Sequence, residues 1–339
     1  MGKFRAIAVI YGSDSSEWEV ACRSGEFVAS RLDAAAYDVY QIFARFGVWE
    51  LVAYRKRNSM RVTFPEGARP QIDKSDFSVS VLGEKVKFDF AYIVQHGAPG
   101  ENGLLQGYLQ MLGVPFSSCD SYASTIAFDK YACKAYLRSS EQVLFAPDAL
   151  IRRGQDVDAF CAKVDASLSY PVFVKPTQGG SSFGVTMVKT PGELKAAVEF
   201  GFTECTSVMV EQGVTGRELT CAAYSDGKDI KALPLIEIVS HNEYFDYDAK
   251  YNGNSDEICP APVSEQEREL VQSTTCQLYA DLGCKGVVRM DYILAEDGGL
   301  YFLEVNTIPG MTSASLVPKM VRTAGIDITD FLTMIIESN

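Results

Sequence analysis

Apolar and polar positions in the first third of the chain change between strand-like and helix-like periods. The pattern runs in the order strand Ile7–Tyr11, helix Glu17–Arg31, strand Tyr37–Phe43, strand Phe88–Val94 and helix Leu104–Leu112. Such alternation predicts an α/β domain built on a doubly wound parallel sheet, which binds ligands beyond the carboxyl ends of its strands. The polar stretch 54–86 predicts edge structure and loops.

The remaining chain predicts two further blocks of mixed α and β structure. Block 120–210 contains helical segments around Ser124–Arg138, strands at 172–176 and 185–189, helix Gly192–Phe200 and strand Ser207–Glu211. Block 211–339 contains strands near Arg217–Tyr224 and Ala232–Val239, a helix that begins at the capping box Ser264-x-x-Glu267, and a closing helix Ile328–Ile336. We therefore expect three domains, at 1–119, 120–210 and 211–339.

A hairpin is predicted near the end of the last block. The strand-like runs Val287–Leu294 and Leu300–Val305 flank Asp297-Gly298, and Asp-Gly between apolar runs favours a type I′ turn. Pairing counted outward from this turn sets Asp291 opposite Glu304. Side chains two apart share a face, so one face carries Arg289, Asp291, Glu304 and Asn306, and the other is a core face with Met290, Tyr292, Leu294, Tyr301, Leu303 and Val305.

The polar hairpin face predicts a cation site. Its donors, from Asp291, Glu304 and Asn306, are all oxygens, and Mg²⁺ is held by such donors together with substrate phosphates. The alternative is a solvated face with a cross-strand charge pair. Like charges directly opposite each other are destabilising without a cation, so we favour the metal site.

Composition and charge limit the classes of function that the chain can have. A length of 339 residues predicts two or three domains, and 47% hydrophobic residues suffice for their cores. The net charge of −13 disfavours nucleic acid or an anionic membrane as partner. No apolar run approaches a bilayer span, and the first residues read as a strand rather than a signal peptide. Nine cysteines without Cys-x-x-Cys pairs favour reduced thiols in a cytoplasm.

Two lysines lie near a loop rich in glycine and serine. The loop, 177–184, joins two strands and offers backbone N–H groups to an anion. Lys175 and Lys130 add positive charge suited to phosphate oxygens. The loop lacks the Walker A pattern, and a flexible hairpin tip explains it about as well.

Two other segments have open interpretations. Glu211 ends a strand and Glu218 follows seven residues later, an arrangement compatible with adenine and ribose recognition but common at strand ends. The run 245–251, Phe-Asp-Tyr-Asp-Ala-Lys-Tyr, is too polar for a core. It is either a lid carrying a phosphate-binding lysine or a long surface loop.

Taken together, the motifs resemble those of the D-alanine–D-alanine ligases, members of the ATP-grasp superfamily. The resemblance covers nearly the whole chain in the family's order. It rests on Gly12-x-x-x-x-Glu17, His96-Gly97 with Gly100-Glu101, Lys175-Pro-x-x-x-Gly180-Ser181-Ser182, Asp248-Ala-Lys250-Tyr251, and Arg289-x-Asp291 with Glu304-Val-Asn306 and Gly310 to Leu316. Small departures, such as Ala21, Asn102 and Gly179, remove no charged catalytic group.

The resemblance implies a three-domain ATP-grasp fold, ATP as co-substrate, and two Mg²⁺ ions for which Mn²⁺ can substitute. It implies these residue roles: Asp291, Glu304 and Asn306 for metal; Lys130, Lys175, Ser181, Ser182, Glu211, Val214, Glu218 and Lys250 for ATP; Glu17, His96, Arg289, Gly310, Ser315 and Leu316 for D-alanine. It also implies that Glu17, Ser181, Lys250, Tyr251 and Arg289 are catalytic.

The implied reaction joins two D-alanines through a D-alanyl phosphate, for peptidoglycan precursor synthesis in the cytoplasm. The implied protein is a homodimer with small-molecule partners, and with neither nucleic acid nor membrane as partner. An alternative of the same fold is a D-alanine–D-lactate or D-alanine–D-serine ligase. An ATP-grasp binding module without catalysis is a third possibility, which the intact set of charged residues disfavours.

Overall fold

The structure is a computed structural model that describes residues 3–180, 183–240 and 255–339. In its first third the elements are β1 (Ala6–Gly12), α1 (Trp18–Arg31), β2 (Asp38–Arg45), β3 (Val48–Arg55), β4 (Val62–Thr63), β5 (Ile72–Asp73), β6 (Ser78–Val81), β7 (Glu84–Lys87), β8 (Phe90–Ile93) and α2 (Leu104–Met111).

The first sheet has the order β4-β3-β2-β1-β8. Its centre is parallel, since β1 pairs with both β2 and β8 in that sense, whereas β3 and β4 add antiparallel edges. The stretch 54–86, predicted as edge structure and loops, also contributes the small antiparallel sheet β5-β6-β7. This sheet covers one face of the first sheet together with α2.

The middle of the chain contains a second sheet of order β11-β10-β12-β9. All its described neighbours are antiparallel, and α5 and α6 pack on one face. The elements are α3 (Ser121–Phe128), α4 (Lys130–Leu137), β9 (Asp148–Arg152), α5 (Val157–Ser167), β10 (Val172–Pro176), β11 (Thr186–Val188), α6 (Pro191–Glu204) and β12 (Ser207–Gln212).

The last part contains a sheet of order β16-β15-β13-β17-β18, with β14 beside β13. The elements are β13 (Gly216–Ser225), β14 (Ile230–Ala232), β15 (Ile236–Ser240), β16 (Ser255–Ile258), α7 (Glu265–Asp281), β17 (Val287–Ala295), β18 (Leu300–Asn306), α8 (Leu316–Thr323) and α9 (Ile328–Glu337). None of the helices in the described ranges has the length and apolar content needed to cross a membrane.

Two predictions about this last part have different outcomes. The capping box at the start of α7 is confirmed, with the Ser264 side chain accepting from Glu267 N–H and Glu267 accepting from Ser264 N–H. The single strand predicted at Ala232–Val239 is wrong, because Pro234 separates β14 from β15. Proline has no N–H to donate to a sheet ladder, so it interrupts a strand.

The β17–β18 hairpin has the predicted pairing at its polar end. Asp291 lies opposite Glu304 and Arg289 lies opposite Asn306. These four side chains therefore share one face, which lines the cleft between the second sheet and the last sheet.

The turn of this hairpin differs from the prediction. The two-residue type I′ turn is wrong, because Ala295 and Gly299 are joined by a backbone hydrogen bond across a three-residue loop in which Gly298 has φ of +85°. A left-handed glycine is typical of such loops. The longer loop shifts the register by one, and a β-bulge between Asp291 and Tyr292 shifts it back.

The bulge also reverses part of the predicted core face. Phe302 points into the core opposite Tyr292, whereas Tyr301 and Leu303, both predicted as core residues, line the cleft. One extra residue in a strand moves its neighbours to opposite faces. The prediction of core positions is right for the buried residues Met290, Tyr292, Leu294 and Val305.

Three hydrophobic cores determine where the cleft lies. One core joins the α1 face of the first sheet to the last sheet, α8 and α9, with the rings of Tyr224 and Phe331 5.1 Å apart. A second joins α3, α4 and α7 to the opposite face of the last sheet. The second sheet has its own core with α5 and α6, so its other face is available to form the cleft.

Gly25 in α1 tests how tightly the first core is packed. A Cβ at Gly25 would lie 2.4 Å from the ring of Tyr11. We expect Gly25→Ala to lower the free energy of unfolding by about 1–3 kcal/mol, because overpacking forces neighbours to shift. Urea-induced unfolding followed by circular dichroism would measure the change.

Gly192 in α6 provides the matched control, since a Cβ there meets no atom within 4 Å. Gly192→Ala should leave stability unchanged or raise it by up to about 1 kcal/mol. Equal stabilities of the two variants would contradict the close approach of α1 to β1.

Candidate active site

Two adjoining cavities occupy the cleft, one of about 550 Å³ and one of about 590 Å³. The smaller cavity lies toward the first sheet, and the larger cavity lies between the second sheet and the last sheet. Both are lined by Lys130, Gly179, Gly180 and Glu304. A molecule in one cavity can therefore meet a molecule in the other at these four residues.

The hairpin face supplies the oxygen donors where the cavities meet. Asp291 accepts two hydrogen bonds from Arg289, at 2.9 and 2.8 Å, and one from the Thr220 hydroxyl at 2.6 Å. The Asn306 amide donates to Asp291 Oδ2 at 3.2 Å, and rotation of that amide would present its oxygen instead. Two carboxylates and an amide oxygen form a donor set suited to Mg²⁺.

Cations compensate these carboxylates. The Lys130 ammonium lies 3.2 Å from Glu304 Oε2. Burial opposes the positive charge of Lys130, but Glu304 and Glu101 raise the pKa of its ammonium above the usual value. Burial likewise opposes the charge of Arg289, and Asp291 raises the pKa of its guanidinium above the usual range. Both side chains are therefore cations at neutral pH.

Helix α4 is held to the glycine-rich loop at its first turn. Asp129 is the N-cap, accepting from Ala132 N–H at 3.0 Å and from the Thr177 hydroxyl at 2.9 Å. Lys130 donates from its backbone to Thr177 O and from its ammonium to Gly179 O at 3.0 Å. The cap thus fixes Lys130 at the junction of the two cavities.

The larger cavity has a buried ion cluster at its inner end. Glu211, only 2% exposed, contacts the ammonium groups of Lys175, at 2.7 Å, and of Lys134. Lys134 was not predicted from the sequence, although its position four residues after Lys130 sets both on one face of a helix. Val214 and Glu218 line the same cavity.

The smaller cavity is lined by residues from distant parts of the chain. His96 Nδ1 donates to Ile308 O at 3.0 Å, and its Nε2 lies 3.1 Å from the Ser24 hydroxyl, which accepts from Met311 N–H. Burial lowers the pKa of His96, so the imidazole is neutral at pH 7. The cavity is also lined by Glu17, Glu101, Arg289, Gly310, Ser315 and Leu316.

Glu17 lies at the contact between the first sheet and the glycine-rich loop. It is the N-cap residue of α1, and a Cβ at Gly180 would lie 2.5 Å from its Oε2 atom. A larger residue at position 180 would force the Glu17 carboxylate to shift. The loop backbone therefore approaches Glu17 directly.

Among the predicted site residues, every one that the structure describes lines one of the two cavities. Glu304 and Lys130 line both, Asn306 lines the smaller, and Asp291 lines the larger. The remaining predicted site residues, Ser181, Ser182, Lys250 and Tyr251, lie outside the described residues.

Comparison with solved structures defines the class of protein. A D-Ala:D-Ser ligase, VanG from Enterococcus faecalis, matches with a TM-score of 0.86 at 28% identity, over 98% of each chain. D-alanyl-alanine synthetase A from Vibrio cholerae matches with a TM-score of 0.83 at 25% identity, over 98% of this chain and 97% of the other. The fold is that of the ATP-grasp ligases, as predicted.

Sequence comparison identifies the family. Family models described as D-ala D-ala ligase N-terminus and C-terminus match residues 6–119 and 143–337. A D-alanine–D-alanine ligase of Bacteroides fragilis is 43% identical over 334 residues, which are 98% of this chain and 99% of the relative. The chain belongs to the D-alanine–D-alanine ligase family, whose members are ADP-forming ligases.

The burial of Glu101 generates a pH prediction. Burial and the nearby Glu17 raise the pKa of Glu101 from 4.5 to about 8. The folded state therefore binds a proton more tightly than the unfolded state, and this contribution to stability is full below pH 4.5 and is lost as the pH rises to about 8. Glu101→Gln keeps an acceptor for the Gly97 N–H, which donates at 2.7 Å.

Melting temperatures measured from pH 5 to 9 in the presence of EDTA would test this. We expect the variant to gain stability relative to the unsubstituted protein as the pH rises to about 8, and the difference to stay constant above that pH. The exposed Glu66, changed to glutamine, is the control and should show no such trend. A pH-independent difference for Glu101→Gln would contradict the prediction.

Proposed function

We propose that the protein condenses two D-alanine molecules into the dipeptide, with cleavage of ATP to ADP and phosphate. The observation that carries the proposal is the meeting of two cavities at Lys130 and Glu304. One cavity has the acids and cations suited to a nucleotide, and the other has Glu17, neutral His96 and Arg289 suited to amino acids. Such a junction is where a phosphoryl group passes from nucleotide to carboxylate.

In this proposal ATP occupies the larger cavity. Glu211, Val214 and Glu218 would contact adenine and ribose, because they lie where β12 ends and β13 begins. Lys175 and Lys130 would neutralise the phosphates. Phosphoryl transfer depends mainly on such positioning and charge neutralisation. Ser181, Ser182 and Lys250 are proposed phosphate ligands on the family resemblance alone.

The metal site fits Mg²⁺ by its donor chemistry. Asp291, Glu304 and Asn306 offer oxygen donors, and the two acids already have cations beside them, Arg289 and Lys130. Bound Mg²⁺, proposed as two ions, would neutralise phosphate charge and hold the phosphates in place.

The first D-alanine would bind in the smaller cavity with its ammonium at Glu17. Its carboxylate oxygen would attack the γ-phosphorus, forming an O–P bond while the bond to the ADP oxygen breaks. A carboxylate is a poor electrophile, and the resulting acyl phosphate is a good one. Neutral His96 near Glu17 adds no competing positive charge.

The second D-alanine would lie near Arg289, Gly310, Ser315 and Leu316. Its free amine would attack the acyl carbon, forming the C–N bond, and phosphate would leave with the electron pair of the C–O bond and take up the proton that the amine loses. Arg289 could stabilise the oxyanion of the tetrahedral intermediate, and one such donor is typically worth about 3–4 kcal/mol. Exclusion of water would fall to a lid that includes Tyr251.

The product and context are also part of the proposal. Tyr251, neutral below about pH 10, would not repel the D-alanine ammonium, which favours the dipeptide over D-alanyl-D-lactate. D-alanyl-D-serine is the second candidate, because VanG, a D-Ala:D-Ser ligase, has the TM-score of 0.86 given above.

We propose that the protein is a cytoplasmic homodimer that supplies peptidoglycan precursor. We also propose that each chain has three domains, at residues 1–119, 120–210 and 211–339.

A competition assay tests the product. The protein is incubated with ATP, Mg²⁺ and equal D-alanine, D-serine and D-lactate at pH 6 to 9, and products are separated by mass spectrometry with phosphate release followed in parallel. We expect D-alanyl-D-alanine to predominate at every pH. Predominant D-alanyl-D-serine would establish the second candidate, and predominant D-alanyl-D-lactate at pH 6 to 7 would overturn the proposal.

Glu304→Gln tests the metal role. Loss of this carboxylate should lower Mg²⁺-dependent turnover at least about 100-fold, since each tenfold corresponds to about 1.4 kcal/mol of transition-state stabilisation. Glu296→Gln, at an exposed position of the same hairpin, should keep its activity. Unchanged turnover of Glu304→Gln at limiting Mg²⁺ would remove Glu304 from the metal site.

A further inference from the structure

Helix α4 and its C-cap residue carry three cations on one face, Lys130, Lys134 and Arg138, spaced four residues apart. Each contacts an acid on a different strand. Lys130 contacts Glu304 on β18, Lys134 contacts Glu211 on β12, and Arg138 lies 2.6 Å from Asp148 on β9. The apolar residues Cys133 and Leu137 of α4 pack toward the last sheet.

Among the residues that the structure describes, Glu211 contacts two cations, Lys134 and Lys175. Lys175 lines the larger cavity and keeps 16% of its side chain exposed. Lys134 is fully buried and is not among the residues that line either cavity. Only Lys175 can therefore turn to a ligand in the cavity, while Lys134 stays in contact with the protein interior.

The surroundings of Glu211 make a constant counter-charge necessary. Glu211 is paired directly with Asp148 across β12 and β9, and like charges in such positions repel. Arg138 compensates Asp148, and in the described part of the chain Lys134 and Lys175 compensate Glu211. A carboxylate with 2% exposure that loses its last cation has neither water nor an ion pair to stabilise it.

We propose that Lys134 is a positioning residue for nucleotide binding, which keeps Glu211 compensated when Lys175 leaves it for a phosphate. The inference rests on the proposed function only in taking the larger cavity as the nucleotide site. In this proposal Lys175 exchanges Glu211 for a phosphate, whereas Lys134 keeps Glu211 as its partner. Affinity for phosphates then depends on a lysine that touches no ligand.

Contact with the Glu211 carboxylate favours the ammonium form of Lys134, whereas burial opposes it. Burial and the nearby Lys175 lower the pKa of Lys134, and Asp148 raises it. Movement of Lys175 toward a phosphate removes one of the causes that lower this pKa. Lys134 therefore becomes a better cation at the moment when Glu211 has the greater need of one.

Calorimetric titration with Mg²⁺–ADP and with adenosine tests the proposal. Adenosine has no phosphate to attract Lys175, so its affinity reports only the contacts of the protein with adenine and ribose. In Lys134→Met we expect ADP to bind at least about 10-fold more weakly and adenosine to change less than about threefold, because only ADP leaves Glu211 without a cation. Arg138→Met, one turn further along α4, should leave the ratio of the two affinities unchanged.

A Glu211→Gln background provides the second arm. The double variant Lys134→Met/Glu211→Gln has neither buried charge, and adding Lys134→Met to Glu211→Gln should leave the ratio of ADP to adenosine affinity within about twofold. Should Lys134→Met fail to fold, Lys134→Gln, whose amide can still donate to Glu211, takes its place. Lys134→Arg, which keeps the charge, should recover part of the ADP affinity.

Equal weakening of ADP and adenosine by Lys134→Met would overturn the proposal, because it would indicate a general disturbance of the pocket. The proposal would also be overturned if adding Lys134→Met to Glu211→Gln lowered the ratio of ADP affinity to adenosine affinity by more than about twofold, because Lys134 would then act through another partner. Failure of the proposed function would look different. The unsubstituted protein would bind ADP and show the same variant effects but join no D-amino acids.

Discussion

The cleft depends on the compensation of buried carboxylates by lysine and arginine. Asp291 is paired with Arg289, Glu304 with Lys130, and Glu211 with two lysines. Removing one partner of a buried pair leaves an uncompensated charge, which costs far more than an exposed pair contributes. Ligand binding as proposed would consequently be an exchange of partners, in which metal and phosphate replace the charged side chains of the protein at the same atoms.

Such an exchange of partners would affect the contact between the second sheet and the last sheet. The second sheet has a core of its own, and α4 packs its apolar residues on the last sheet while its charged side chains reach Glu211 and Asp148 on the second. Charges, rather than a continuous apolar core, therefore connect the two walls of the larger cavity. A ligand that changes those charges acts directly on the contact between the walls.

The hairpin part of the candidate site was predictable because it follows from local periodicity, whereas most other candidate residues were named from the family resemblance. Alternation along β17 and β18 set Asp291 opposite Glu304, although the actual loop is longer and a bulge compensates for it. Periodicity cannot reveal a bulge, so the positions of Tyr301 and Leu303 were wrong. Lys134 was missed for another reason: its meaning depends on burial against a strand 77 residues away, which no local pattern contains.

The core that unites the first sheet with the last helices has a consequence for synthesis on the ribosome. Val9 and Val28, near the start of the chain, share that core with Phe331 and Ile335. The α1 face of the first sheet therefore lacks part of its apolar cover until α9 has been made. Contacts this distant in sequence slow folding and leave apolar surface exposed meanwhile, so the nascent first sheet is open to non-native contacts until α9 has been made.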